Sequence, residues 1–448
     1  MRRLHLALWL ILAAMALASC GETDRVQLGA LAPSVDFGKC LGDDTHCEQE
    51  FPPARVVEPE FAPTQCERVE DDGWQVAWWR KLTHLRCAPV GFCDARLMSV
   101  AEDGTVWTAG LGQSPVVDSD ETLFGLFLVH YDQDGEIVAQ EVVETRQLVG
   151  SGSAFGDNAI QMAIAADARG HVIVAMVWTE DEAWVGEFDA AARAVGQRVR
   201  LQGWHGNMTP GLSVAADRSV LLSAHTSPPF TTPSAFNALA KLDSKFRPMW
   251  LQTRALPPSG FSAMLSGGPR IALVGDPELD LGALGVSQVG TLDPAGNLID
   301  LLHVPVMDTP FAVDQSGNLF ALAMGVHAST ATKMTPQGDI LFQVEITGVQ
   351  DPNDAHVFHR LSGSVDLEGN SLYAMHWDSR DEQGIYSETL TLWQLDAGGE
   401  RCRVSNLVNG LGGAIQSTSQ LNEMSELLLT NDGDLYVRTE SVFARLTR

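Results

Sequence analysis

Cys20 is the residue whose surroundings point most directly to a chemistry. It ends an N-terminal segment, MRRLHLALWLILAAMALASC, in which two arginines precede an apolar stretch from Leu4 to Ala18. A short basic region followed by an apolar one is the order of an export signal. The apolar stretch is about 15 residues long, shorter than the roughly 20 residues that a helix needs to cross a bilayer. We therefore predict a signal peptide over residues 1–19, cleaved before Cys20.

The residues Leu17-Ala18-Ser19-Cys20 resemble the lipobox of bacterial lipoproteins. The resemblance implies that the Cys20 sulfur carries a diacylglycerol thioether and anchors the chain to a membrane. Two or three acyl chains on one residue give stable anchoring, whereas a single chain is marginal. Gly21 stands where an Asp retains lipoproteins of enteric bacteria in the inner membrane, so the resemblance favours the outer membrane. The alternative is an ordinary signal peptide that happens to end in a cysteine.

The other cysteines form an even set of six: Cys40, Cys47, Cys66, Cys87, Cys93 and Cys402. In an oxidising compartment such a set predicts three disulfides, chosen from 15 pairings. Short loops close easily, which favours Cys40 with Cys47 and Cys87 with Cys93 and leaves Cys66 with Cys402. No C-x-x-C or zinc-type spacing occurs, which argues against a redox or zinc role.

Two groups of side chains in predicted connections could bind a ligand. His356 and His359 form the sequence HVFH, and because residues three apart face opposite sides of a strand, they could chelate a metal only from a loop or helix. Trp204 and His205 could stack on a sugar. The alternatives are a polar surface loop for the histidines and an aromatic packed on its own sheet for the tryptophan.

Acidic clusters recur between predicted hairpins and could bind calcium through oxygen ligands. The candidates for such a site are Asp118, Asp120, Asp276, Asp280, Asp378 and Asp381. The YDQDGE segment at 131–136 lacks the ligand order of an EF-hand and is interpreted as a turn. A solvated acidic surface is the alternative for the clusters, and no cofactor is required by any motif.

Familiar catalytic signatures are missing from the sequence. It contains no G-x-S-x-G, P-loop, G-x-G-x-x-G or H-E-x-x-H motif, each of which would mark a nucleophile, a phosphate site or a zinc site. The net charge of −28 at neutral pH argues against nucleic acid as a partner, because phosphate binding needs clustered Lys and Arg. The composition, with 45% hydrophobic and 19% charged residues, is that of a folded globular chain.

The elements that position these residues are predicted from two repeated hairpin patterns. Each pattern has two alternating apolar runs around an Asp/Gly turn, and Gly supplies the positive φ that a tight turn needs. The first pattern occurs at 98–110, 162–178, 212–225, 263–276, 310–325, 363–377 and 426–440. The second occurs at 128–143, 184–201, 239–253, 289–304, 331–346 and 392–406. Two hairpins in succession make a four-stranded sheet, and their spacing is that of propeller blades.

The predicted fold is an all-β propeller, with seven four-stranded blades closed by an N-terminal strand. The seventh copy of the first pattern, at 426–440, is not followed by a copy of the second pattern. Residues 67–85 have the second pattern but no copy of the first pattern before them. Pairing them would remove the open sheet edges. Six or eight blades, or a pair of β-sandwiches, are the alternatives. Residues 20–65 are predicted to be a spacer that contains the Cys40/Cys47 loop, or a small cap, and residues 66–448 the propeller.

These repeats resemble the NHL, PQQ-like and SBBP propeller repeats, and the arrangement of lipobox and propeller resembles lipoproteins of myxobacteria. The spacing from Asp243 to Trp250 does not fit the tryptophan-docking pattern of quinoprotein dehydrogenases. The expected function is a non-enzymatic recognition or scaffold module of the cell envelope, with an envelope protein or glycan as partner. The alternative is a hydrolase or lyase that acts on polysaccharide through paired carboxylates.

Overall fold

The computed structural model describes only part of the chain. The described residues are 34–36, 55–56, 64–70, 74–82, 85–116, 121–149, 160–179, 182–202, 208–215, 217–226, 236–255, 261–267, 270–275, 286–305, 309–324, 329–346, 357–366, 369–380, 386–408, 426–430, 433–438 and 442–448. Every helix or strand among them is a β-strand, and none of them forms a helix long and apolar enough to span a membrane. The all-β prediction is confirmed.

Five short strands come first in the chain, and the rest follow blade by blade. The first five are β1 (Ser34–Asp36), β2 (Arg55–Val56), β3 (Glu67–Glu70), β4 (Gln75–Lys81) and β5 (Leu85–Cys87). Blade 1 contains β6 (Gly91–Val100), β7 (Val106–Pro115), β8 (Glu121–Tyr131) and β9 (Ile137–Val149). Blade 2 contains β10 (Gln161–Ala166), β11 (Val172–Thr179), β12 (Glu182–Phe188) and β13 (Ala194–Gln202). Blade 3 contains β14 (Met208–Val214), β15 (Val220–Thr226), β16 (Phe236–Leu242) and β17 (Pro248–Ala255).

The remaining blades have the same organisation. Blade 4 contains β18 (Phe261–Gly267), β19 (Arg270–Gly275), β20 (Val286–Leu292) and β21 (Leu298–Pro305). Blade 5 contains β22 (Thr309–Val313), β23 (Leu319–Met324), β24 (Ser329–Met334) and β25 (Ile340–Ile346). Blade 6 contains β26 (Val357–Val365), β27 (Ser371–Arg380), β28 (Tyr386–Leu395) and β29 (Arg401–Val408). Blade 7 contains β30 (Glu426–Leu429), β31 (Leu435–Arg438) and β32 (Val442–Thr447) together with β4.

The described strands therefore form seven sheets, and neighbouring strands within each blade are antiparallel. The first strands of successive blades contact one another from β6 round to β30, which places them at the centre. In blade 7 the fourth place is taken by β4, whose Trp79 pairs with Ala444 of β32. The N-terminal part of the chain thus supplies the strand that the C-terminal part lacks.

The core is divided among the junctions between blades. Seven apolar clusters lie among the described residues, one at each junction of adjacent blades, including that of blade 7 with blade 1. In β11, Val174 faces blade 1 whereas Ile173 and Ala175 face blade 3. Burying such an aliphatic side chain contributes about 1.5–3 kcal/mol. A blade is apolar on both faces because it lies between two others.

The N-terminal strands differ from the prediction of a spacer and a four-stranded sheet. The strands β1, β2 and β3 each pair in parallel with the outermost strand of a blade, namely β13, β21 and β29. Thr64 bridges β25 in the same direction. Ser34–Asp36 and Arg55–Val56 are therefore edge strands of blades rather than parts of a spacer. Strands of two or three residues are too short to produce a periodic pattern, so the sequence does not indicate them.

The segment 67–85, predicted as one hairpin unit, contributes strands to three blades. Its first strand, β3, adds to blade 6, and its second, β4, completes blade 7. The third, β5, pairs with β6 in blade 1. The strands β1, β2, β3 and β5 each add a fifth strand to a blade, so four of the seven described sheets contain five strands rather than the four predicted.

Candidate functional site

The Asp residues of the repeats cap the hairpin turns. The Asp314 Oδ1 atom accepts the backbone N–H groups of Ser316 and Asn318, both at 2.9 Å. Gly317 between them has a φ of 82°, a conformation that glycine adopts without strain. The carboxylates of Asp132, Asp167, Asp189, Asp243, Asp293, Asp366 and Asp396 accept backbone N–H groups in the same way. These carboxylates are structural acceptors. The YDQDGE segment is a turn, as predicted, but the Asp132 carboxylate accepts backbone hydrogen bonds rather than being only solvated.

One of these turns belongs to a larger group of charged side chains at the junction of blades 2 and 3. The group consists of Asp167 and Arg169 in the β10–β11 turn, His171, Glu187 on β12, and Arg218 in the β14–β15 turn. The side chains of Asp167 and Glu187 are 1% and 6% exposed. We call these five residues the charged cluster.

The two buried carboxylates of the charged cluster are shared among the cations. Arg169 Nη2 donates to Asp167 Oδ2 at 2.7 Å and also to Glu187 Oε1. His171 Nδ1 lies 2.6 Å from the same Glu187 oxygen. Arg218 Nη2, which comes from the next blade, lies 3.6 Å from Glu187 Oε2. The cluster therefore joins both hairpins of blade 2 to blade 3.

Hydrogen bonds and ion pairs shift the pKa of two residues of the charged cluster, Asp167 and Arg169. Burial alone would raise the pKa of Asp167, but hydrogen bonds from Arg169 and from the His171 N–H outweigh it and hold that pKa below its usual value. Burial likewise would lower the pKa of Arg169, yet the two carboxylates raise it. Asp167 and Arg169 are thus stabilised in their charged forms.

Asp167, His171 and Glu187 are also spaced as metal ligands, with ligand atoms within 4.8 Å of one another among the described residues. The residues around them do not fit a cation. Both Asp167 oxygens already accept hydrogen bonds, two from backbone N–H groups and two from the Arg169 guanidinium. A metal ion would have to displace that guanidinium and lie beside Arg218 as well. The arrangement is suited to binding blades together rather than to metal chemistry.

The structure confirms two of the three predicted disulfides. Cys66 is bonded to Cys402, and Cys87 to Cys93. Most other predicted site residues lie outside the described residues: Cys20, Cys40, Cys47, Asp118, Asp120, Trp204, His205, Asp276, Asp280, His356 and Asp381. They remain predictions.

Two predicted site residues lie in strands rather than in connections, which corrects the sequence analysis. His359 is in β26, opposite His376 of β27, and Asp378 is in β27, opposite Glu388 of β28. The alternation of this part of the sequence is weak, so the strands extend further toward their connections than the pattern indicates. His356 lies outside the described residues, so chelation by His356 and His359 stays a prediction.

Contacts between aromatic rings and turn glycines are a feature that sequence reasoning missed. Trp250 on β17 donates from Nε1 to Pro294 O at 3.1 Å and packs on Gly296 in the next blade. Trp78 on β4 donates to Gln133 O at 2.8 Å and packs on Gly135. Phe342 packs on Gly399 in a third instance. Trp250 thus docks on a neighbouring blade although its spacing differs from the quinoprotein pattern.

A spacing in the sequence could have revealed these contacts. Trp250 follows the turn residue Asp243 by seven positions, and Phe342 follows Thr335 by the same number. Each aromatic residue is the third residue of the outermost strand, just after its own turn, and contacts the turn of the next blade. The repeat of that spacing is the available signal.

No family model matches the chain, and no curated protein matches it. Among solved structures it is similar to the β-propeller domain of the Trilobed protease from Pyrococcus furiosus, with 8% identity over 78% of this chain and 98% of that chain and a TM-score of 0.41. It is also similar to an acylaminoacyl peptidase of Pyrococcus horikoshii, with 9% identity, 78% and 49% coverage and a TM-score of 0.43. A neuraminidase-like protein of A/flat-faced bat/Peru has 10% identity, 77% and 99% coverage and a TM-score of 0.39.

The chain spans about half the length of the peptidase. Similarities this weak say nothing about an activity. The β-propeller fold of the chain rests on its own seven described sheets, whose first strands contact one another in succession.

Proposed function

We propose that this propeller is a lipid-anchored module of the cell envelope that recognises a protein or glycan, or acts as a scaffold, without catalysing a reaction. The observation that carries the proposal is the route of the N-terminal segment. The strands β1, β2 and β3 all lie on outermost strands of blades. The first described strand after Cys20, β1, therefore lies at the rim of the ring.

If the anchor joins the ring at its rim, the two ends of the propeller remain accessible to a partner. One end carries the hairpin turns, whose Asp carboxylates accept backbone hydrogen bonds within the turns. The other end carries the connections between hairpins and between blades, where the acidic clusters and Trp204 and His205 are predicted. Recognition by that end is the proposal, since connections positioned by a rigid scaffold are common binding sites.

The charged cluster does not supply the paired carboxylates of the alternative, a polysaccharide hydrolase. Its two carboxylates are bound by Arg169 and Arg218, so they serve the fold. A polysaccharide hydrolase would instead need two carboxylates about 5–10 Å apart that are open to a sugar.

The anchor is tested by replacing Cys20 with Ser in the full-length chain expressed in a bacterial host. We expect loss of acylation by mass spectrometry and release of the protein from the membrane fraction. An unmodified Cys20 in membrane-bound wild-type protein would overturn the anchor.

Recognition is tested by pull-down from envelope extracts and by glycan arrays with the purified protein. A variant with Asp118, Asp120 and Asp381 changed to Asn should lose the ligand. The matched control changes Asp134 and Glu136, which lie on the hairpin-turn end, and should retain it. Turnover of a polysaccharide by the wild-type protein would overturn the non-enzymatic proposal.

A further inference from the structure

Residues 64–70 and 74–81 lie along the rim of three blades in succession, and we call them the clasp. Thr64 forms two backbone hydrogen bonds of 2.9 Å with β25 in blade 5, to Gln343 O and from Glu345 N. The strand β3 then pairs with β29 in blade 6, and β4 completes blade 7. The clasp is therefore attached to consecutive blades from 5 to 7.

The end of the clasp also contacts blade 1. Trp78 donates to Gln133 O, and Arg80 donates to Gly135 O at 2.5 Å and to Glu136 at 2.9 Å. The Trp78 ring packs edge-on against Phe443 at 5.2 Å between centroids. The clasp thus lies across the seam where the last blade meets the first.

Besides the disulfide, β3 is held by its pairing with β29, by Arg68 over the Trp393 ring at 5.4 Å and by one exposed ion pair. Its four residues pair along one edge only, and Val69 is 47% exposed. The ion pair of Glu67 with Arg401 is 3.7 Å long between side chains that are more than 70% exposed, and pairs of that kind contribute little. Cys402 is fully buried in the apolar cluster between blades 5 and 6. The Cys66–Cys402 bond therefore connects an exposed edge strand to the core.

The two described disulfides differ in accessibility. Cys66 is half-buried, and its neighbours Gln65 and Glu67 are exposed. In contrast, Cys87 and Cys93 are 4% and 1% exposed. Because thiol–disulfide exchange requires access to a sulfur atom, we expect a reductant to react with the Cys66–Cys402 bond before it reacts with the more deeply buried pair.

We propose that the Cys66–Cys402 disulfide is a redox-sensitive latch that keeps β3, the part of the clasp next to Cys66, on blade 6. A thiolate of a dithiol reductant attacks the Cys66 sulfur, the S–S bond breaks, and Cys402 leaves as a thiolate and takes up a proton. The second thiol of the reductant then displaces Cys66 from the mixed disulfide and forms the reductant's own disulfide. Two electrons and two protons pass to the protein, and β3 is released from blade 6.

The experiment adds graded dithiothreitol to the folded wild-type protein, so that no variant has to refold. Alkylation with mass spectrometry should label Cys66 and Cys402 before Cys87 and Cys93. Amide exchange in Glu67–Glu70 should then rise about tenfold or more, since release is a local opening, and the Tm should fall by about 5 °C. Prior labelling of Cys87 and Cys93 would overturn the proposal.

Matched variants separate the latch from a general effect of reduction. The double variant Cys66→Ala, Cys402→Ala should show fast exchange in Glu67–Glu70 without reductant and no further change when dithiothreitol is added. The control, Cys87→Ala with Cys93→Ala, should keep slow exchange in these residues until reductant is added. Unchanged exchange in Glu67–Glu70 after the Cys66–Cys402 bond is broken would show that the bond is not a latch.

Discussion

The Trp250 indole of blade 3 lies so close to Gly296 of blade 4 that a Cβ atom there would be 2.7 Å from the indole Cδ2. Gly296 also has a φ of 84°, so two separate restraints require glycine. Two neighbouring blades are therefore packed against each other through a position without a side chain. Trp78 with Gly135 repeats this contact at the junction of blades 7 and 1.

Replacing Gly296 with Ala tests this contact. The positive φ should cost about 1–2 kcal/mol, and the overlap with Trp250 a further 1–3 kcal/mol, roughly the cost of overpacking. Gly433→Ala is the control, because Gly433 has a φ of 85° and a Cβ atom added there would meet nothing within 4 Å. Chemical denaturation of both variants measures the difference. Equal losses would mean that the Trp250 contact is not tight.

The charged cluster should be sensitive to loss of a single charge. Glu187→Gln leaves Arg169 and Arg218 without one of their two carboxylates in a partly buried setting, for which we expect a loss of about 3 kcal/mol in unfolding free energy. Glu136→Gln is the control, since Glu136 forms a 2.9 Å ion pair with Arg80 but is 76% exposed, and should cost less than about 1 kcal/mol. Similar losses for the two variants would contradict a structural role for the cluster.

Stability should fall when the turn carboxylates are protonated. Hydrogen bonds from Asn297 lower the pKa of Asp293. Burial would raise the pKa of Asp243, but hydrogen bonds from Arg247 outweigh it and lower that pKa. A carboxyl with a lowered pKa binds fewer protons when folded than when unfolded, so its contribution is complete above the unfolded value, about 3.9, and is lost as the pH falls through the folded pKa.

The measurement is the free energy of unfolding of the wild-type protein and of Asp293→Asn at pH 7 and pH 3. Asn keeps an acceptor oxygen in the turn but cannot titrate in this range. The decrease between the two pH values should therefore be smaller in the variant. A decrease as large as that of the wild type would indicate that Asp293 does not contribute to acid lability.

Truncations test the role of the N-terminal strands. Deletion of residues 21–60 removes β1 and β2 and should be tolerated, because these strands pair along one edge only. Deletion of residues 21–85 also removes β4 and exposes the edge of β32, so we expect aggregation or a much lower Tm. Deletion of residues 21–73 keeps β4 and should lie between the two. Equal Tm values for the first two truncations would refute closure by β4.

The sequence was sufficient for the local structure because that structure depends on neighbours in the chain. Alternating apolar residues around Asp-x-x-Gly turns predicted the hairpins, and even the degenerate copy at 263–276 forms β18 and β19. The pairing of Cys87 with Cys93 was also predicted, since a six-residue separation closes easily. The sequence has seven copies of the first hairpin pattern and six of the second, and this difference predicts that an N-terminal strand near residue 80 completes the last blade.

Only the tertiary structure decided which surfaces meet across blades. The charged cluster brings Arg218 to Glu187 from another blade, and no local pattern records that distance. The parallel strands β1 and β2 are too short for periodicity, so they were interpreted as a spacer. Trp250 meets Gly296 because the blades pack side by side. Local periodicity determines a strand and its turn, whereas the contacts between blades depend on how the closed ring is packed.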